Sequence, residues 1–303
     1  MKIHVSTFFF VILLGSCSEI SQNQPTQTSE METWKLSWRM IESSWNHQFE
    51  LVAAQFDSLL ETGTPLKRTF LLTGLEALYE LDQKEKLIQI FNQQDSTMQR
   101  DLCLSTLFAI HNDLQVCQGI THEPPMSHPN LQYSIIKLFV DDQAARGNLM
   151  EDIIQKYRVP IDSIATDDAI AVDAQNRDRL KTIINHYGFP TAKMVGPDAM
   201  YGLFLIIQHA DNDAEWQKDQ VANVEAAVKT GDMDSQDYAY LYDRVQINSG
   251  KEQLYGTQFS RVDRDKSIAI LAPVEDPDHL DQRRMEMGMM PIAMYKKVML
   301  EGF

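Results

Sequence analysis

Apolar side chains recur at intervals of three and four from Trp34 onward. Trp34, Trp38, Ile41, Trp45, Phe49, Val52, Phe56 and Leu59 form one stripe, about seven helical turns long. Thr62-Gly63-Thr64-Pro65 ends it with two helix breakers. Leu66, Phe70, Leu71, Gly74, Leu75 and Leu78 predict a second helix, Leu87, Ile88 and Phe91 a third, and Met98 to Ile110 a fourth. Gly119 to Asn130 holds three prolines and a glycine and reads as a linker. Its two histidines, His122 and His128, have no third ligand close by in sequence.

Beyond that linker the helical periodicity resumes. It predicts helices over Leu131–Tyr157, over Asp167–His186 with Asn176 and Arg179 on the polar side, and over Asp198–His209. Asn212 with Glu215 fits a capping box for the next helix, through Lys229, and Ser235 to Val245 predicts another. Gln253–Phe259 and Ser267–Pro273 are β-prone and are separated by the charged run 261–266, which predicts a small hairpin. Pro277 and Asp278 lead into one final helix holding Arg283, Arg284 and Tyr295. The fold class is therefore mainly α: a helical-hairpin N-terminal region at 32–118, a linker at 119–130, and an α-helical domain at 131–303 with a β-hairpin near its end, α+β overall. The N-terminal hairpins loosely resemble tetratricopeptide units, without a clean self-match at about 34 residues. Their aromatic face reads as core, or alternatively as a ligand groove, and the N-terminal stack is a candidate surface for a partner protein.

Composition adds class and address. The formal charge of −16 argues against a nucleic-acid partner, because phosphate backbones select basic stripes. Residues 1–17 look like a targeting segment: Lys2, an apolar run from Val5 to Leu14, then Gly15-Ser16-Cys17. That ending resembles the lipobox of bacterial lipoproteins, in which the cysteine is diacylated and becomes the first residue. The resemblance implies lipidation at Cys17 and attachment to a membrane through lipid alone. Ser18 to Met31 is polar and reads as a flexible tether. Ser18 in place of aspartate favours the outer membrane as the address. The remaining cysteines, Cys103 and Cys117, are either a disulfide, with a chain turn at His111-Asn112-Asp113, or two buried thiols.

The second half carries an ordered series of polar motifs: Asp142-Gln143 with Arg146, Asp173 with Asn176, Tyr187-Gly188-Phe189-Pro190, Gln208-His209-Ala210-Asp211, Gln217, Asp243-Arg244, Gln253-Leu254-Tyr255-Gly256-Thr257-Gln258 and Arg283-Arg284. This series resembles a bacterial domain family of unknown function over roughly residues 130–300. The family is often attached to secretion or lipoprotein signals. Met289-Met290-Pro291 departs from the Leu-Pro-Pro expected there. The resemblance implies membership and no activity.

Two readings of the chemistry follow. In one, His209 held by Asp211 acts as a general base, and Arg244, Arg283 or Arg284 anchors an anion. Gln253, Tyr255, Thr257 and Gln258 would complete the ligand-binding surface, and His209, Tyr255 and an arginine would line one open pocket. In the other, the same residues are a buried polar lock. Asp142 and Arg146, four apart, share a helix face and can pair, and His209 sits at a helix C-terminus. Adjacent Arg283 and Arg284 point about 100° apart on a helix and would not serve one ligand together. No cofactor motif and no metal-binding spacing is present. The function expected is a ligand-binding or scaffolding module at the cell envelope; the alternative is a lipid-anchored hydrolase or transferase.

Overall fold

A computed structural model describes residues 27–301, apart from 106, 109–113, 120–125 and 166. Cys17, the His111-Asn112-Asp113 turn and His122 lie outside the described residues. The protein is mainly α, with one small antiparallel hairpin near the C-terminal end.

Helix α1 (Gln27–Trp45) starts inside the stretch expected as a tether and takes up residues 27–31. The long aromatic stripe is broken once, before α2 (Phe49–Glu61). His47 is left-handed at φ 54°, and the amides of His47 and Gln48 turn back to Ser44 O and Ser43 O. Asn46-His47 is the local signal for this break, since these residue types tolerate left-handed backbone better than most. Helices α3 (Arg68–Glu80), α4 (Lys84–Asn92) and α5 (Ser96–Cys103) follow. The fourth predicted helix stops at Cys103, well short of Ile110. Cys103 is bonded to Cys117, with Cα atoms 5.6 Å apart; an unbroken helix would hold them at about 21 Å. Phe56, Leu59, Leu75, Leu78, Leu87 and Phe91 form the buried centre of this group.

The second core is organised by α6 (Pro129–Ala144) lying along α10 (Pro197–Gln208), with α7 (Glu151–Tyr157), α8 (Ala169–Tyr187) and α9 (Ala192–Val195) packed on α6. Gly202 permits the close approach, because a Cβ there would meet the Phe139 side chain at 2.6 Å. Helices α11 (Ala214–Lys229) and α12 (Ser235–Asn248) close the far side. Ile135, Leu180, Leu203, Ile207, Val224 and Leu241 are fully enclosed there.

Several local expectations are corrected. Asn176, placed on a polar face, is buried and donates to Leu138 O at 3.0 Å. A single helical turn at Asp211–Asp213 moves the start of α11, so Asp213 and not Asn212 is its N-cap. Asn212 accepts from Arg177. Strand β1 (Phe259–Asp263) includes part of the charged run and pairs antiparallel with β2 (Ile268–Leu271). The single predicted final helix is two, α13 (Leu280–Glu286) and α14 (Ile292–Glu301). Gly288, at φ 67°, and Pro291 part them. The Met289-Met290 departure sits in this break. Met289 is buried, its carbonyl accepts from Trp34 Nε1 at 2.9 Å, and Met294 enters the N-terminal core. Lys297 pairs with Glu42 at 2.6 Å, a second tie between the C-terminal helix and α1.

Candidate functional site

His209 caps the C-terminal end of α10 and reaches across to α6. Its Nδ1 lies 2.8 Å from Asp142 Oδ1 and 3.1 Å from Oδ2. Asp142 is fully buried and also accepts from Gln143 Nε2 at 2.8 Å and Arg146 Nη1 at 3.2 Å. Arg146 then forks onto Asp173 at 2.8 and 2.9 Å. Burial raises the Asp173 pKa, and Arg146 pulls it back. With a carboxylate on Nδ1 the ring proton belongs there, leaving Nε2 as the basic nitrogen. The carboxylate that positions His209 is thus Asp142, and the expected partner Asp211 belongs elsewhere.

Asp211 holds Arg244. It accepts from Arg244 Nε at 2.8 Å and, more closely, from Nη2. Burial pushes the Asp211 pKa up, but Arg244, Gln217 and Asn248 outweigh it and the net shift is downward. Gln217, wholly enclosed, donates to Ile207 O, Gln208 O and Asp211 Oδ1 at 3.0–3.1 Å. Those carbonyls belong to the last turn of α10, so one amide fastens α11 to the helix that carries His209.

Between α10 and α12 lies an open cavity of about 470 Å³. Tyr201, Phe204, Gln208 and His209 face it from one side, and Asp234, Asp237, Tyr240 and Arg244 from the other. Asp237 is partly buried, and burial with help from Asp234 raises its pKa to about 7. Tyr201 is raised as well, by burial and then by Asp237. His209 and Arg244 share one pocket, but Tyr255, which the acid–base reading also expected there, does not line it.

A sequence model described as a family of unknown function (DUF6624) matches residues 129–303. The chain belongs to this family. No curated protein and no solved structure matches it.

In the DUF6624 domain the remaining predicted ligand residues form a lock beside the pocket. Asp243, with no exposed surface, accepts from Leu254 N at 2.8 Å, Tyr255 N at 3.1 Å, and Thr257 N and Oγ1 at 3.0 Å. Burial raises the Asp243 pKa, and these donors oppose the rise. Gln253 Nε2 donates to Gln258 O and Ala272 O, and Gln253 Oε1 accepts from Gln258 N. Gln258 Nε2 donates to Thr257 Oγ1 at 2.9 Å. These bonds use the backbone groups that a strand over Gln253–Phe259 would have paired, which is why the hairpin begins only at Phe259. Arg283 donates to Leu254 O, Glu275 O and Asp276 O, whereas Arg284, fully buried, donates to Met290 O and Tyr255 O. Arg284 also lies over the Tyr295 ring, 4.9 Å from its centre. The two arginines grip neighbouring carbonyls of one turn, Leu254 O and Tyr255 O, and their remaining donors go to other backbone carbonyls, so they present no common anion site. Tyr255 packs edge-on to Tyr238 and Tyr242, and burial raises its pKa to about 12.

Asp142, Asp173 and His209 each offer one ligand atom, all within 4.8 Å of one another. A search for paired histidines at helical spacing misses this trio, because its members come from α6, α8 and α10. Arg146 bridges both carboxylates and supplies the compensating positive charge. A divalent ion would have to displace it.

Proposed function

We propose that this protein is an envelope lipoprotein, anchored through Cys17, whose DUF6624 domain binds a small polar ligand in the cavity between α10 and α12. The observation that carries the reading is His209 at an open cavity, held through Nδ1 by fully buried Asp142. A fixed imidazole whose other nitrogen has no partner among the described residues is suited to accept from, or donate to, a bound molecule. No described helix is long and apolar enough to cross a membrane.

A second reading is hydrolytic, and the Asp142–His209 pair favours it. Among the described residues the cavity lining has no serine, threonine or cysteine; in this reading water is the nucleophile and His209 Nε2 its base. Asp142 would act as the positioning residue.

The test is a thermal-shift screen of the full-length protein against phosphates, amino acids, sugars and short peptides. A ligand that stabilises the wild type but neither His209→Ala nor Arg244→Ala, with both variants folded, supports the pocket. Retention of every ligand by both variants overturns it. Cys17→Ser is expected to move the protein from the membrane fraction to the soluble one.

A further inference from the structure

The lining of the His209–Arg244 cavity narrows the ligand class. Arg244 is already matched by Asp211 through two bonds, so it contributes little net positive potential. Asp234 and Asp237 stand on the same wall, and among the described residues neither has an ion-pair partner. The pocket is therefore acidic on balance. Its walls are aromatic: Tyr201 and Phe204 lie 6.1 Å apart, ring centre to ring centre, and Tyr240 faces them from α12. Gln208, only 6% exposed, is among the lining residues, and its side-chain oxygen is buried without a hydrogen-bond partner among the described residues. A carboxylate without a cation, aromatic faces and an unused acceptor amide together match a cation that carries N–H donors.

We infer that the cavity takes a primary ammonium group on an alkyl stem, with Asp237 as counter-charge, Tyr201 and Tyr240 against the stem, and the Gln208 amide as acceptor. This assignment rests on the pocket reading above and gives it a ligand class. Asp237 has a structural role as well: at the third position of α12 it reaches back to the Asp234 backbone N–H, half of a capping box. Asparagine keeps that acceptor and removes the charge, so Asp237→Asn separates the two roles. The other titrating or charged groups at the cavity are His209, Tyr201, Asp234, Tyr240 and Arg244, with Asp142 and Asp211 behind His209 and Arg244. Bound ammonium would favour the ionised form of Asp237, whose pKa burial lifts to about 7, and the displaced proton would pass to solvent.

The experiment titrates the full-length protein calorimetrically with n-butylammonium chloride at pH 8 and pH 6, with sodium acetate and inorganic phosphate as the anionic arms. Butylammonium is expected to bind at pH 8 and to bind roughly tenfold more weakly at pH 6, as Asp237 takes up its proton. Asp237→Asn is expected to lose tenfold or more at pH 8 while melting no lower than the wild type. Equal binding by wild type and Asp237→Asn overturns the assignment. So does acetate or phosphate binding in place of the amine, or no amine binding up to about 50 mM. If the broader screen yields a ligand lost in His209→Ala while butylammonium fails, the pocket stands and the ammonium assignment falls.

Discussion

Replacing Asp243 with alanine tests the lock directly. The side chain has no exposed surface and satisfies three backbone N–H groups, of Leu254, Tyr255 and Thr257, together with the Thr257 hydroxyl. Alanine leaves those donors buried without an acceptor, at about 1–3 kcal/mol each. The full sum overstates the loss, because water enters the vacated space and the turn relaxes. Removing one partner from a buried charged set costs about 3–5 kcal/mol in comparable cases, so we expect about 4 kcal/mol. For a domain of this size that corresponds to a fall in Tm of roughly 8–16 °C. Asparagine keeps one acceptor oxygen but turns an NH2 toward N–H donors, so an intermediate loss is expected. Urea unfolding followed by circular dichroism gives the free energy, and hydrogen exchange at Leu254, Tyr255 and Thr257 gives the location. The exposed Asp278→Ala serves as control and should stay within about 0.5 kcal/mol. A loss under about 1 kcal/mol for Asp243→Ala, or unchanged exchange at the three amides, refutes the lock.

Asp237→Asn should change the pH profile of stability. The folded pKa of about 7 stands above the ordinary 3.8, so the native state holds a proton that the unfolded chain has lost in that window. Its contribution is complete below the unfolded value and is lost as pH rises toward 7. The variant should match the wild type near pH 4 and exceed it at pH 8 by about 1–2 kcal/mol, after discounting for the group's partial exposure; parallel profiles would count against this. Cys103→Ser opens a link across 14 residues of sequence and should cost about 3 kcal/mol, measured by urea unfolding with and without reductant. An identical loss on reducing the wild type is the expected check. Gly74→Ala brings a Cβ to 2.3 Å from the Phe56 ring carbons and should cost about 1–3 kcal/mol through overpacking of α2 on α3; an unchanged melting temperature would contradict that packing.

Local sequence determined whatever one helix or one turn decides. The spacing of Trp34 to Leu59 marked helical faces, and Gly63-Thr64-Pro65 marked an end. Asp142 and Arg146 pair as their four-residue separation implies. The ordered polar motifs carried family membership. The tertiary structure alone decided which motifs meet. Asp142 lies 67 residues from His209, and no periodicity links them. They touch because α6 and α10 pack closely at Gly202 and Phe139. The nearer acid in sequence, Asp211, is turned instead toward Arg244 on α12. Residues grouped by sequence at Gln253–Gln258 bond to one another and to Asp243, which leaves the open cavity to Gln208, Asp237 and Tyr240. Spacing along one helix fixes which side chains share a face. Which faces then come together depends on how the buried apolar surfaces fit, and that fit is a property of the whole core.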